Sequence, residues 1–376
     1  MIPGPIEVTD DVLYANAHPS VAHVAPDFCV VFGECIKMLR TVLDAPSSQP
    51  YIVAGSGTLG WDMLSANVLQ PGEEALVLST GYFGDSFAEA LGTYGVKVTQ
   101  ITGAVGGRPE ESQIVDALQK TKFRAVTITH VDTSTGVLMD VEKIAKLVHE
   151  VSPETLVFVD GVCSVGSEEI HMESWGVDAY LFASQKGLGC PPGLSFVVAG
   201  PRAMQAFESR KAPPATYYAS WVKWTPVMKA YEAGSPAYFG TPPTNLVYAL
   251  HQSLKNITGT SLAERYQAHR EASQKIKTRL AEHGLEQLAL KATRENGGVA
   301  NGMTAVRYPA GMGAKDILPK LAQRGVVFGA GLHKECKDTY FRIGHMGASV
   351  TDASRGDIDR ILDTLFEVLR ENGYQK

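Results

Sequence analysis

The chain has 376 residues, and 34 Lys plus Arg against 40 Asp plus Glu leave a formal charge of −6. That length calls for a large α/β domain with a smaller companion rather than one small core, and a mean hydropathy of −0.04 is ordinary for a globular chain. No apolar run approaches the roughly 20 residues that cross a bilayer, the mild acidity argues against a nucleic-acid binder, and five scattered cysteines without C-x-x-C argue against a disulfide framework or structural zinc.

The amino terminus, Met1-Ile2-Pro3-Gly4-Pro5, has neither the basic nor the apolar block of a signal peptide, and the last residues carry no peroxisomal or retention signal. The expected compartment is the cytoplasm, with peroxisome and mitochondrion left open. From Tyr51 onward, β-rich runs alternate with amphipathic stretches. Strands are predicted at Tyr51–Ala54, Leu76–Ser79, Lys97–Ile101, Ala125–Val131, Thr155–Asp160, Ala179–Ala183 and Ser195–Ala199. Runs such as Val157-Phe158-Val159 are continuously apolar, as strands buried on both faces of a mainly parallel sheet require. Between them, Thr58–Leu69, Gly84–Tyr94, Glu110–Gln119 and Asp140–His149 carry helical spacing. The alternation predicts a doubly wound α/β fold.

Residues 211–243 contain Pro213-Pro214, Pro226, Pro236 and Pro242-Pro243, so a structured loop or crossover without regular elements is expected there. Helices follow at Thr244–Ile257 and Ser261–His283, then strands at Met303–Arg307, Val326–Phe328 and Tyr340–Ile343, and a final helix from Asp357 to Glu371. The expected division is an arm over 1–20 that contributes to the active site, a large domain over 21–258 and a smaller α/β domain over 259–376.

Three motifs carry chemistry. Gly55-Ser56-Gly57-Thr58-Leu59-Gly60 joins a strand to a helix, where glycines let backbone N–H groups approach an anion at the positive helix start. It also fits a dinucleotide turn, with Glu73 or Glu74 downstream for a ribose, or a plain tight turn. Asp160 closes an apolar strand at the sheet end where doubly wound folds bind ligands, or it caps the next segment. Lys186 follows an apolar strand and precedes the Gly/Pro-rich Gly187-Leu188-Gly189-Cys190-Pro191-Pro192-Gly193, which holds it at a pocket rim. Together, a lysine, a carboxylate on a neighbouring strand and an upstream phosphate cradle meet the needs of pyridoxal 5'-phosphate. The amine forms a Schiff base with the aldehyde, and the carboxylate pairs with the pyridine nitrogen.

With these motifs in register, the chain resembles the alanine–glyoxylate/serine–pyruvate aminotransferases, a class V, fold-type I pyridoxal phosphate family, and its fungal members most. The resemblance rests on Gly55-Ser56-Gly57-Thr58, Thr133-Ser134-Thr135-Gly136, Val159-Asp160, Ser184-Gln185-Lys186 and Phe341-Arg342-Ile343-Gly344. It implies Lys186 as the Schiff-base lysine and proton carrier, Asp160 on the pyridine nitrogen, and Ser56, Gly57, Thr58 and Gln185 on the phosphate. Phe83 stands where the family more often has a tryptophan over the cofactor, and Thr133 would reach the phenolic oxygen. Tyr238 and Thr241 match residues that bind the neighbouring subunit's phosphate, implying a homodimer with shared sites. Arg342 would clamp the substrate carboxylate with two parallel hydrogen bonds, and Gly4 and Ser164 match positions of the same pocket.

Other residues have plainer readings. Cys336 raises a desulfurase alternative, but it lies only six residues before Arg342, too near for the longer mobile loop of those enzymes. Cys163 and Cys190 fill space. His18 and His23 pack or face solvent, and His130 receives no catalytic role. The histidines have no ligand-like spacing, so no metal is expected. The expected reaction is L-alanine plus glyoxylate to pyruvate plus glycine by a ping-pong route, with serine as the competing donor. A nicotinamide dehydrogenase using Gly55, Gly57 and Gly60 is the alternative from another class.

Overall fold

The computed structural model describes residues 1–375. Twelve strands form three sheets among these residues: β1 (Gln49–Ala54), β2 (Glu74–Ser79), β3 (Lys97–Thr102), β4 (Ala125–Thr129), β5 (Val131–Asp132), β6 (Val137–Leu138), β7 (Leu156–Asp160), β8 (Ala179–Ala183), β9 (Leu194–Ala199), β10 (Met303–Arg307), β11 (Gly329–Ala330) and β12 (Tyr340–Gly344). The main sheet has the order β1-β9-β8-β7-β4-β2-β3, parallel from β8 through β3, with β9 running against both its neighbours. Every residue of β4, β7, β8 and β9 is buried, which explains their unbroken apolar and β-branched composition. Of the two edge strands, β1 is mostly buried and β3 is open: its residues are half-buried or exposed, and Lys97 is among those facing solvent.

Helices cover the sheet where the spacing predicts them. The helix Val141–Val151 is capped by Asp140, whose carboxylate accepts from Lys143 N at 3.1 Å, and buries Ile144, Ala145 and Val148. Two helices, Asp10–Asn16 and Pro26–Leu43, precede β1; the second starts on Pro26 and ends on Asp44 in the left-handed region. The three-stranded sheet β10-β12-β11 is antiparallel and packs a separate core of Ile276, Val306, Leu321, Phe341, Leu362 and Phe366 against the helices Leu262–Glu282, Ala314–Gln323 and Asp357–Glu371.

Two expectations fail. Residues 211–243 contain a regular helix, Trp221–Glu232, with Pro226 inside it. Trp221, Trp224, Val227, Met228 and Tyr231 bury one face. The bond that Pro226 cannot donate would have gone to the carbonyl of Val222, a residue 54% exposed, on the solvent side of the helix where a lost bond costs least. Val326–Phe328 is not a strand; pairing begins only at Gly329. Its main chain is served instead by the amino terminus, since the Met1 ammonium donates to Val327 O at 2.6 Å.

Candidate active site

Parallel strands put their carboxyl ends on one side of the sheet, and there the ends of β1, β4, β7 and β8 surround a cavity of about 180 Å³. Of the residues singled out from the sequence, Gly4, Ser56, Gly57, Thr58, Phe83, Thr133, Asp160, Gln185 and Lys186 line it. Asp160 and Lys186 meet because β7 and β8 are adjacent and in register, Asp160 opposite Leu181, with Lys186 three residues beyond the end of β8.

Both charged groups are buried, at 2% and 8% exposure. Asp160 Oδ1 accepts from Val162 N at 2.9 Å, and Oδ2 accepts from the indole Nε1 of Trp61 at 2.8 Å. Burial pushes the Asp160 pKa up to about 6 and Asp132 adds to this, while the two donors and Lys186 oppose it. Burial likewise holds the Lys186 pKa below its ordinary value, helped by Arg342 and opposed by Cys163 and Asp160. Lys186 Nζ donates to the carbonyl of Pro3. Gly4, at φ +105°, lies so close that a Cβ there would stand 2.5 Å from Lys186 Cδ and 2.7 Å from Nζ.

The opposite end of the cavity is an anion site in waiting. Ser56 is the N-cap of the helix Gly57–Val68 but makes no side-chain cap; its hydroxyl bonds that of Thr58. Leu59 N turns back to Ser56 O at 3.0 Å, but no side chain caps the N–H groups of Gly57 and Thr58, and an anion would supply their acceptor. A Cβ at Gly57 would come within 2.7 Å of Val162 Cγ2, so only glycine lets this turn sit down on the strand ends. Gln185 Oε1 is buried without a partner. Phe83 is fixed from behind the cavity wall: buried Asp132 accepts from Phe83 N at 3.1 Å and Gly84 N at 3.3 Å, capping the helix Tyr82–Thr93.

Arg342, on β12, leans against this site. Its Nε donates to Ala330 O at 2.7 Å and its Nη1 to Thr133 O at 3.1 Å, so one face of the guanidinium is already engaged. Ser164 is fully buried with its hydroxyl on Gly161 O at 3.3 Å, off the cavity wall. Tyr238 and Thr241 are exposed and stand apart from this chain's cavity. Glu73 and Glu74 lie at the start of β2, the wrong end of the strand for a ribose at the cavity, and each has a basic neighbour, Arg124 at 3.8 Å and Lys97 at 3.6 Å. The dinucleotide reading thus loses its acid. Cys336 is half-buried beside Thr339, and burial raises its thiol pKa, which suits a resting thiol and not a nucleophile. His18 stacks on Tyr248 at 3.8 Å, and His130 accepts or donates at Tyr180 OH, 2.6 Å away; neither enters the cavity. No group of metal-ligating side chains is found among the described residues.

Residues 9–350 match the family described as aminotransferase class V. The chain belongs to the class V aminotransferases. This family uses pyridoxal phosphate, and the residues here fit it: a buried carboxylate, a buried amine, an uncapped helix start and an unpartnered glutamine surround one cavity. Among relatives, the chain is 40% identical to alanine–glyoxylate aminotransferase 1 of Saccharomyces cerevisiae, over 93% of this chain and 92% of that one. It is 30% identical to an L-aspartate–glyoxylate aminotransferase of Paracoccus denitrificans, over 94% and 87%. The solved alanine–glyoxylate aminotransferase of a Nostoc species superposes with a TM-score of 0.89 at 29% identity, covering 98% and 94%. Within this class V chain, sequence reasoning passed over Pro3, Trp61 and Asp132 as site residues. Trp61 had one signal: it follows Gly57 by four residues, one helical turn, and so shares its face.

Proposed function

We propose that the chain moves the amino group of L-alanine to glyoxylate, giving pyruvate and glycine in two half-reactions at one site. The observation that carries this is the joint placement of Lys186 and Asp160, both buried, on a cavity that ends in an uncapped helix start. The likeness to the Saccharomyces cerevisiae relative supports the choice of donor and acceptor. When bound, pyridoxal phosphate supplies an electron-withdrawing ring and a carbon that carries nitrogen between substrates.

The lining residues then divide the work. Asp160 would keep the ring nitrogen protonated, and Ser56, Gly57, Thr58 and Gln185 would hold the phosphate. Phe83 would supply an apolar face for the ring, and Thr133 a hydrogen-bonding group for its phenolic oxygen. Lys186 holds the cofactor between turnovers; once released, its amine takes the proton from the substrate Cα, for which the pKa lowered by burial suits it. Arg342 binds the substrate carboxylate through the guanidinium hydrogens that Ala330 and Thr133 leave free. Gly4, packed against Lys186 so closely that no Cβ fits there, lets the amine lie beside the main chain of the arm.

The reading includes a homodimer. Tyr217, Tyr218, Val222 and Tyr238 are exposed on one stretch of chain, and Tyr218 OH reaches Ala54 O at 3.4 Å, beside the glycine turn. A second copy covering this face would bring its Tyr238 and Thr241 to the phosphate. The deciding experiment is a half-reaction screen of alanine, serine, aspartate and glutamate, followed by glyoxylate or pyruvate. Alanine with glyoxylate should be the fastest pair. Serine should trail it by roughly 10²-fold or less, because a pocket without a dedicated hydrogen bond rejects one added hydroxyl poorly. Aspartate outrunning alanine would overturn the donor assignment.

A further inference from the structure

We propose that Trp61 is a positioning residue for Asp160: its indole N–H fixes the carboxylate plane and keeps the ionised form facing the ring nitrogen of the bound cofactor. The proposal rests on the cofactor reading given above and deepens it. Asp160 has one oxygen on Val162 N at 2.9 Å and the other on Trp61 Nε1 at 2.8 Å. Two donors on two oxygens remove rotation about the terminal bond and leave the remaining lone pairs aimed at the cavity that Asp160 lines. Trp61 is 5% exposed, so no solvent water can take over its donor role. The indole is itself held, stacked on Phe87 with centroids 5.6 Å apart and planes 16° from parallel.

The charged surroundings of Asp160 make this donor matter. Asp132, following β4, acts against the ionised form, while Tyr180 on the adjacent β8 stays a neutral phenol, its own pKa pushed up chiefly by burial. Lys186, beyond β8, favours it, although burial acts against the lysine's own charged form and holds its pKa below the ordinary value. Against the push of burial, the N–H groups of Val162 and Trp61 do more than any neighbouring charge to hold the carboxylate ionised. A charge-assisted bond of this kind is among the stronger single hydrogen bonds a protein makes. Removing the indole donor moves the acid form of Asp160 to higher pH.

The test uses the full chain freed of cofactor and titrated calorimetrically with pyridoxamine 5'-phosphate, which cannot condense with Lys186, from pH 5.5 to 8.5. A second probe is the same molecule with carbon in place of the ring nitrogen. Wild-type affinity for the first probe should fall as the pH drops below about 6, because binding must then expel a proton from Asp160. Trp61→Phe should shift that fall up by about one pH unit, costing about tenfold at pH 5.5 and almost nothing at pH 8.5. Trp61→Gln, which keeps a donor, should bring the fall back toward wild type, and the carbon analogue should show no such limb. A loss that is uniform with pH, a loss equal for both probes, or no change at all would reduce Trp61 to packing and overturn the proposal. If Trp61→Phe does not fold, the same limb is compared between Trp61→Gln and Trp61→Met, with identical limbs overturning it. Failure of the wild-type chain to bind pyridoxamine phosphate would instead bring down the cofactor reading, and this inference with it.

Discussion

Lys186 and Asp160 share one cavity, and their burial makes opposite demands on them. Lys186→Ala should keep the cofactor non-covalently and lose turnover by about 10³-fold or more, since the general base disappears; single-turnover absorbance reads both effects. Near-normal turnover would remove the role assigned to Lys186. The second prediction concerns stability. The folded Asp160 pKa of about 6 lies above its ordinary 3.8, so the folded chain binds the proton more tightly than the unfolded chain does. Stability therefore declines as the pH rises from about 4 to 6 and levels off above, by about 3 kcal/mol from this group. In cofactor-free Asp160→Asn that decline should be missing, so the variant gains on the wild type by about that amount between pH 4 and 7 in urea unfolding. Equal pH profiles would show that Asp160 is solvated. Such residues were legible in the sequence because a glycine turn, a carboxylate and a lysine follow successive apolar strands in one combination, although the turn and the carboxylate each also have a structural reading. Trp61 was not, because an apolar residue in a helix passes for core until its partner is known, and that partner lies 99 residues away.

Elements were legible where periodicity was clean. The seven main strands and the helix Asp357–Glu371 appear where alternation and spacing put them. The helix Trp221–Glu232 was hidden by the prolines around and within it, although Trp221, Trp224 and Met228 already marked a face. That helix depends on a residue from elsewhere. Asn67, fully buried, accepts from Trp221 N at 2.7 Å and donates to Ala219 O at 2.8 Å. Asn67→Ala should cost about 3 kcal/mol or more, because both main-chain groups would be left buried and unpaired. Urea unfolding measures it, and a loss under 1 kcal/mol would mean that water enters (roughly the value of an ordinary surface change). The amino-terminal arm offers a contrasting case. Gly4→Ala adds a Cβ into Lys186 at a backbone angle that disfavours any side chain. It should lower kcat/KM by about tenfold or more while thermal unfolding stays close to wild type, since the added Cβ meets the Lys186 side chain and leaves the packing of Met1, Ile6 and Val12 unchanged. A large fall in melting temperature would assign the arm a structural role instead.

At the scale of the whole molecule, the alternation of strands and helices announced a doubly wound sheet, but not its order. Which strand lies beside which depends on crossovers that no local pattern records, and the antiparallel β9 between β1 and β8 is one such case. Quaternary structure is the matching prediction. Sedimentation equilibrium should give twice the 40.4 kDa of one chain. Val222→Asp, at an exposed position of the face assigned to the second copy, should shift the chain toward monomer and weaken cofactor retention together. A monomeric wild type with full activity would refute the shared-site arrangement.

The arm has a mechanical consequence. Gly344 N donates to Met1 O at 2.9 Å, so the first residues are laced to the three-stranded sheet, while Ile6 N donates to Gln185 O at 3.0 Å and laces the same segment to the lysine loop. The four residues between Met1 and Ile6 reach at most about 14 Å when taut, which sets a leash on how far the two sheets can swing apart. Any wider excursion must unhook one end first, so amide exchange at Ile6 and Gly344 should rise in step whenever the molecule breathes.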